Sequence, residues 1–67
     1  MNLKLLKLAR VKKRLTQKQM AEELGFRDKS SYCLIENGKT QISTSTMRKM
    51  ITILQLSEDE AIKIFFA

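Results

Sequence analysis

The 67-residue sequence predicts an all-α domain of five short helices. It contains no proline and only two glycines, Gly25 and Gly38, so these are the expected sharp turns and the segments between them suit helices. Two segments begin with polar residues at the spacing that stabilises helix N-termini. Strand-forming residues cluster only in 41–46, where Ser and Thr serve equally well as helix caps.

The first helix is expected over residues 2–13, which are rich in the helix formers leucine and lysine. Its apolar residues fall on two faces, with Leu3, Leu6 and Ala9 on one and Leu5 and Leu8 on the other. This is more apolar surface than a helix with one buried face needs. We therefore expect the first helix to pack on two sides, with Phe65 or Phe66 covering the second face.

The second and third helices have clear ends. Thr16 and Gln19 have the spacing of a capping box, and the helix that they begin ends at Gly25. Asp28 is a suitable N-cap for the third helix, which ends at Asn37-Gly38. The residues expected to face the core are Met20, Ala21, Leu24, Tyr32 and Ile35.

The fourth helix begins near Ser43 or Thr44, and the fifth covers roughly residues 58–66. A second capping box, Ser57 to Glu60, begins the fifth helix. The apolar stripe of the fourth helix consists of Met47, Met50, Ile51 and Leu54. On the fifth helix, Ile62 and Phe65 lie on one face, and Ile64 and Phe66 lie off that face. Methionines in this pattern fill a core and are not a ligand set.

Composition excludes several classes of protein. With one cysteine and no histidine, the chain cannot form an intramolecular disulfide, a Cys/His zinc site or a Cys–His or Ser–His nucleophile pair. A lone cysteine suits the reducing cytoplasm, and no apolar run approaches the ~20 residues that span a bilayer. We expect one cytoplasmic binding domain over residues 1–67, not an enzyme, with no metal, cofactor, membrane or small-molecule ligand.

Positive charge is concentrated towards the N-terminus. The chain has 13 Lys and Arg against seven Asp and Glu, a net charge of +6. Residues 1–49 carry twelve basic and four acidic side chains, whereas residues 50–67 carry one and three. Such a field attracts polyanions, and nucleic acid is the first candidate; a membrane surface and an acidic protein are the alternatives.

Two short helices joined at Gly25 form the pattern of a helix-turn-helix, in which the second helix enters the major groove of DNA. That helix needs short side chains at its first turn for close approach and donors for the edges of the bases. Lys29, Ser30 and Ser31 satisfy both requirements, although the same residues also suit an ordinary solvated N-terminus.

A wider pattern resembles a known family. The residues are Leu15-Thr16-Gln17, Met20-Ala21, Leu24-Gly25, Tyr32 and Ile35-Glu36-Asn37-Gly38-Lys39. Together they resemble the Cro/C1-type (XRE-type) helix-turn-helix family of phage repressors and Cro proteins. The resemblance implies a five-helix domain of the lambda repressor type and a sequence-specific regulator of transcription, most simply a repressor, that places the third helix (about 28–37) in the major groove of double-stranded DNA. The alternative is an antitoxin-like or regulatory protein-interaction module with the same fold.

The resemblance also implies roles for individual residues. The expected base contacts are Lys29, Ser30, Ser31, Cys33 and Leu34; the expected phosphate contacts are Gln17, Lys18, Asn37, Lys39 and Thr40. Arg10 and Glu36 match a structural ion pair between the first and third helices. Leu34 either touches a thymine methyl group or packs beside the second helix, and Cys33 serves as a small spacer.

The sequence departs from the family pattern at three places. The turn over residues 25–28 is about one residue longer than in many members. Tyr32 replaces an aliphatic residue, so its hydroxyl needs a partner or an exit to solvent. Ile42 and Gln55 stand where proline and glycine are frequent.

One domain of this size presents one recognition helix, which covers about half of a typical operator. We therefore expect a homodimer on a pseudo-palindromic operator with half-sites ~34 Å apart. The candidate dimer contacts are the apolar residues 64–66 and the loop 41–44.

Overall fold

The computed structural model describes residues 1–66, and Ala67, the last residue of the predicted domain, lies outside the described residues. Five α-helices follow one another and no strand occurs in this range, which confirms the predicted all-α class. The helices are α1 (Leu3–Lys12), α2 (Gln17–Glu23), α3 (Lys29–Glu36), α4 (Thr44–Leu54) and α5 (Glu58–Phe65). The contact between α2 and α3 is the most extensive, and α1 also packs against α3 and α5.

Every helix begins with a polar side chain that accepts the backbone N–H of the residue three positions later. These N-caps are Asn2, Thr16, Asp28, Ser43 and Ser57. Both predicted capping boxes are complete, because the Gln19 and Glu60 side chains also accept the backbone N–H of Thr16 and Ser57. Helix starts are therefore specified locally, by the cap and the three residues that follow it.

Four helices end on a residue with left-handed backbone, and only two of those residues are glycine. Gly25 and Gly38 have φ of +80° and +74°, as the sequence predicts, but Arg14 and Gln55 adopt φ of +60° and +52°. For a residue with a Cβ atom this conformation costs about 1–2 kcal/mol. The left-handed backbone of Gln55 thus explains why glycine is frequent at this place in the family that the sequence resembles.

The core lies where α1, α2, α3, α4 and α5 meet. It consists of Leu6, Met20, Ala21, Leu24, Tyr32, Ile35, Met50, Leu54 and Ile64. The core-facing residues predicted for α2 and α3 are all buried. On α4 the prediction is confirmed for Met50 and Leu54, whereas Met47 and Ile51 are half-buried at its edge.

On the last helix the core residue is Ile64, which the helical period places off the face that Ile62 and Phe65 share. Ile64 is buried in the core, whereas Ile62 is 48% exposed. The backbone N–H of Asn2 donates to the carbonyl of Ile64 at 2.6 Å, so the C-terminus of α5 is held against the N-terminus of α1. This bond joins residues near opposite ends of the sequence, so no local pattern predicts it.

The expected double packing of α1 is only partly realised. Leu6 is fully buried and Leu5 is half-buried, but Leu8 is 54% exposed. Phe65 packs against the core, whereas Phe66 is 68% exposed and does not cover Leu8. An apolar groove therefore stays open between α1 and α5.

Candidate nucleic-acid interface

The α2–turn–α3 unit is held together by local hydrogen bonds. The Thr16 hydroxyl accepts the N–H of Gln19 at 3.0 Å at the start of α2. At the other end, the N–H of Phe26 donates to the carbonyl of Ala21 at 2.9 Å across the left-handed Gly25. These bonds satisfy backbone groups that a helix end leaves free, and they set the direction in which the chain enters α3.

The first turn of α3 faces solvent. The Asp28 carboxylate accepts the N–H of Ser31 at 3.3 Å and thereby caps the helix. Lys29, Ser30 and Ser31 are all exposed, and no acidic side chain lies in this turn. Two short hydroxyl side chains and one lysine are therefore available at the helix end that carries the positive pole of its macrodipole.

The next two predicted base contacts differ in their surroundings. Cys33 is half-buried, and its sulfur accepts a hydrogen bond from the Asn37 amide at 3.5 Å. Leu34 is 46% exposed. The side chain of Cys33 is therefore partly covered, whereas Leu34 presents much of its side chain to solvent.

A buried ion pair lies beneath α3. Arg10 Nε and Nη2 donate to Glu36 Oε2 and Oε1 at 2.5 and 3.3 Å, and the two side chains are only 8% and 4% exposed. Arg10 Nη1 also donates to the carbonyl of Leu15 at 2.7 Å. The hydrogen bond with Glu36 raises the pKa of Arg10. Since the guanidinium contacts the carboxylate with two nitrogens, it fixes the end of α3 against α1.

Gln17 joins α2 to the same carboxylate. Its side chain is half-buried, and Nε2 donates to Glu36 Oε1 at 3.3 Å. An amide carries two donor hydrogens, so this bond leaves one for a further acceptor. The neighbouring Lys18 is exposed. The N-terminus of α2 thus presents one amide and one ammonium group next to α3.

The segment after α3 forms a tight exposed loop. Gly38 has φ of +74°, and the N–H of Lys39 donates to the carbonyl of Leu34 at 2.9 Å. A Cβ atom at Gly38 would lie 2.9 Å from Cδ1 of Leu3, so the loop passes close to α1. The predicted phosphate contacts Asn37, Lys39 and Thr40 are all exposed along it.

Among the buried side-chain nitrogen and oxygen atoms of the described residues, the hydroxyl of Tyr32 is the one without a hydrogen-bond partner. Its ring is fully buried, and its hydroxyl forms no hydrogen bond. The hydroxyl interacts electrostatically with Glu36 and Arg10, yet without the geometry of a hydrogen bond to either. Burial raises the pKa of Tyr32 far above its usual value. The expectation that this hydroxyl has a partner or an exit to solvent is not met.

The surface that the predicted contact residues occupy is the candidate DNA-binding face. They lie on the first turn of α2, on the outer side of α3 and on the loop after it. Four exposed cations belong to this face or border it: Lys18, Arg27, Lys29 and Lys39. Arg27 lies in the turn before α3 and beside the same shallow pocket as Lys18 and Lys29, and it was not among the contacts predicted from the sequence.

Another feature missed from the sequence is an open groove on the flank of α3. It has a volume of about 410 Å³ and lies between α3, the loop 40–43 and the first turn of α4. Leu34 and Ser31 line it from α3, Ile42 from the loop and Thr46 from α4. No local signal places Thr46 beside α3, because the two helices meet only in the folded chain.

A family model described as a helix-turn-helix domain matches residues 4–63, nearly the whole chain. No curated protein and no solved structure matches the chain. In the described part of the chain, none of the helices is both long and apolar enough to span a bilayer. The same residues contain no group of three or more metal-ligating side chains placed to share an ion.

Proposed function

The chain belongs to the helix-turn-helix domain family, within its XRE or Cro/C1-like group, and from this premise we propose that it is a sequence-specific, double-stranded DNA-binding regulator of transcription. The family indicates a DNA-binding regulator and is typically non-enzymatic. The single observation that supports the proposal best is the exposed outer face of α3, which has lysines at both of its ends and is fixed to α1 by the buried Arg10–Glu36 ion pair.

In this proposal α3 enters the major groove, whose width of about 12 Å admits a helix. Lys29 donates to the hydrogen-bond acceptors on the edge of a guanine. The hydroxyls of Ser30 and Ser31 can bond to donors or to acceptors on the edges of the bases. Cys33 and Leu34 complete the base-facing set one turn later. The support is that the first-turn residues are exposed and that the rigid Arg10–Glu36 pair leaves α3 little freedom to shift.

The phosphate contacts come from both ends of the helix-turn-helix. Gln17 and Lys18 lie at the N-terminus of α2, and Asn37, Lys39 and Thr40 lie on the loop after α3. Such contacts fix the register of a protein on DNA and supply most of its salt-dependent affinity, while the base contacts provide the sequence preference.

We further propose that the regulator is a repressor that acts as a homodimer on a pseudo-palindromic operator. Of the segments predicted to form the dimer contact, Ile64 is in the core and Phe65 packs against it. Phe66 is 68% exposed, and most of the loop 41–44 is exposed as well. These two features are the candidate contacts. The mass of the free and the DNA-bound protein tests this part, and a monomer in both states contradicts it.

One observation favours the alternative of a protein-interaction module. The groove between α1 and α5 is lined mainly by apolar side chains, Leu5, Leu8, Ala9 and Ile64, together with the charged side chains of Lys12, Glu60 and Lys63. This groove has no role in the proposed DNA complex. A chain that failed to select any DNA sequence would favour this alternative.

The test of the proposed function begins with selection from a random pool of DNA duplexes, followed by affinity measurements on the selected duplex and on a scrambled one across a salt series. We expect a marked preference for the selected duplex. A steep salt dependence with no sequence preference contradicts the proposal, because it reports only phosphate neutralisation.

Three alanine variants sort the contacts. Lys29→Ala should lower discrimination at one or two base pairs, whereas Lys39→Ala should weaken all sequences about equally and reduce the salt slope by about one. Lys63→Ala removes the same charge from α5 and is the matched control. A change of base preference in Lys39→Ala, or an equal loss in the control, would show that the assignment of contacts is wrong.

A further inference from the structure

Leu34 presents an apolar surface where the rest of α3 is polar. It is 46% exposed, although it lies one turn after the exposed, hydroxyl-bearing Ser30 and Ser31. A leucine that served the core would be buried, as Ile35 is at 3% exposure. Leu34 instead lines the open groove beside the loop 40–43. Its exposure on this surface calls for a ligand group that is itself apolar.

The groove beside Leu34 carries no charge, although the exposed cations Lys29 and Lys39 lie on the same helix and on the loop after it. No ionisable group lines the groove: its walls combine apolar side chains with uncharged polar ones, the former being Phe26, Leu34, Ile35 and Ile42 and the latter Ser31, Thr40, Gln41, Ser43 and Thr46. Thr40, a proposed phosphate contact, is one of the lining residues, but no cation lines the groove, so a phosphate inside it would find no balancing charge. The groove suits an uncharged group that the DNA presents beside its phosphates.

The major groove of DNA offers one such group. The edges of the bases there carry hydrogen-bond donors and acceptors, and the one apolar substituent is the methyl group on C5 of thymine. A methyl group on C5 of cytosine occupies the equivalent position on its pyrimidine ring. A volume of about 410 Å³ accommodates the edge of a base with this methyl group.

We propose that the groove between α3 and the loop 40–43 binds the C5-methyl group of a pyrimidine, with Leu34 as the contacting side chain and Ile42 as the opposite wall. The inference rests on the proposed function, because it requires α3 to lie in the major groove. It adds the chemical identity of one base-pair feature in the operator.

The size of the effect follows from burying one methyl group. Transfer of one such group from water to an apolar surface corresponds to about a fourfold change in affinity. A duplex that contains uracil at the contacted position keeps its base pairing and its hydrogen-bonding edge and lacks only the methyl group. The comparison of thymine with uracil therefore isolates the proposed contact.

The experiment uses the full chain and the duplex selected as described above. Each thymine in turn is replaced by uracil, and each cytosine by 5-methylcytosine, and the dissociation constant is measured by fluorescence anisotropy. At the responsive position all four pyrimidines are then compared. We expect about a fourfold loss from thymine to uracil at one position of each half-site. An equal gain from cytosine to 5-methylcytosine there shows that the methyl group is recognised on either base, and a response of thymine alone identifies thymine as its source.

Two variants connect the effect to the groove. Leu34→Ala should bind the thymine duplex and the uracil duplex with affinities within about 1.5-fold of each other, because the variant loses the contact that gives the wild type its difference of about fourfold. Ile62→Ala removes a similarly exposed side chain from α5 and should keep the full response. Leu34 is half-exposed, so its truncation leaves the core intact, which a circular-dichroism melting curve checks.

Each outcome is decisive. A selected duplex on which no uracil or 5-methylcytosine substitution changes affinity overturns the inference and leaves the proposed function standing. An undiminished response in Leu34→Ala also overturns the inference, because the methyl group is then bound elsewhere. Failure to select any duplex overturns both.

Discussion

The buried ion pair between Arg10 and Glu36 leads to the sharpest stability prediction. Replacing Glu36 by Gln keeps the size of the side chain but leaves the guanidinium of Arg10 buried without a countercharge. Breaking such a pair from one side costs about 3–5 kcal/mol. A domain of 67 residues has a free energy of unfolding of about 3–10 kcal/mol, from roughly 0.05–0.15 kcal/mol per residue. Glu36→Gln is thus expected to leave the chain marginally folded.

A double-mutant cycle measured by urea unfolding tests the prediction. Arg10→Met alone should also cost several kcal/mol, since it leaves a buried carboxylate and removes the bond to Leu15. The double variant Arg10→Met/Glu36→Gln should cost much less than the sum of the two single variants, with a coupling free energy of about 2 kcal/mol or more. Glu22→Gln, on the exposed surface of α2, is the control and should change stability by less than about 0.5 kcal/mol. Additive single effects would refute the account of the pair.

The same pair predicts a pH dependence. Burial disfavours the charged form of Glu36, but Arg10, the nearby hydroxyl of Tyr32 and Gln17 together outweigh it and hold the pKa of Glu36 below its usual 4.5. The unfolded chain therefore binds this proton more readily than the folded chain does. The stabilisation is complete above pH 4.5 and is lost as the pH falls through the lower pKa of the folded state. Over that window Glu36→Gln should lose less free energy of unfolding than the wild type, because the variant lacks this carboxylate.

Three further predictions concern stability, measured by urea and thermal unfolding. Tyr32→Phe removes a buried hydroxyl without a partner and should raise the free energy of unfolding by about 1 kcal/mol; a loss of that size would mean that the hydroxyl is hydrogen-bonded. Gln55→Gly removes the cost of a left-handed backbone at a residue with a Cβ atom, and should raise the free energy of unfolding by up to about 1 kcal/mol. The gain is smaller by whatever the exposed 2.6 Å hydrogen bond from Lys13 to the Gln55 side chain contributes. A lower free energy of unfolding would contradict the argument from backbone strain. Gly38→Ala should cost more than Gly25→Ala, because only the former places a Cβ atom against a neighbour; equal costs would show that the neighbour moves aside freely.

Helix starts were predictable because their causes are local. A capping side chain bonds to an N–H three residues away, so Thr16 and Ser57 can be identified from the sequence alone. The residues with left-handed backbone that follow α1 and α4, Arg14 and Gln55, could not be predicted, because arginine and glutamine rarely adopt that conformation. They are tolerated because the residues that follow them, Leu15 and Leu56, pack against the core.

The candidate site shows the same division. Lys29, Ser30 and Leu34 could be placed on an outer face from the helical period and the family pattern alone. The neutral groove at Leu34 could not, since its other walls come from Ile42 and Thr46, and their approach to α3 depends on the packing of the whole chain. Local chemistry thus predicted the contacting helix, and tertiary structure added the shape of the surface around it.

The central claim is that DNA binds to the outer face of α3 and the loop after it. A ¹⁵N NMR titration of the chain with its selected duplex tests this most directly, because each backbone N–H reports on its own surroundings. The account predicts that the largest shift changes occur in residues 17–18 and 29–40, with little change in α5. Largest changes along the groove between α1 and α5, with α3 unaffected, would contradict it.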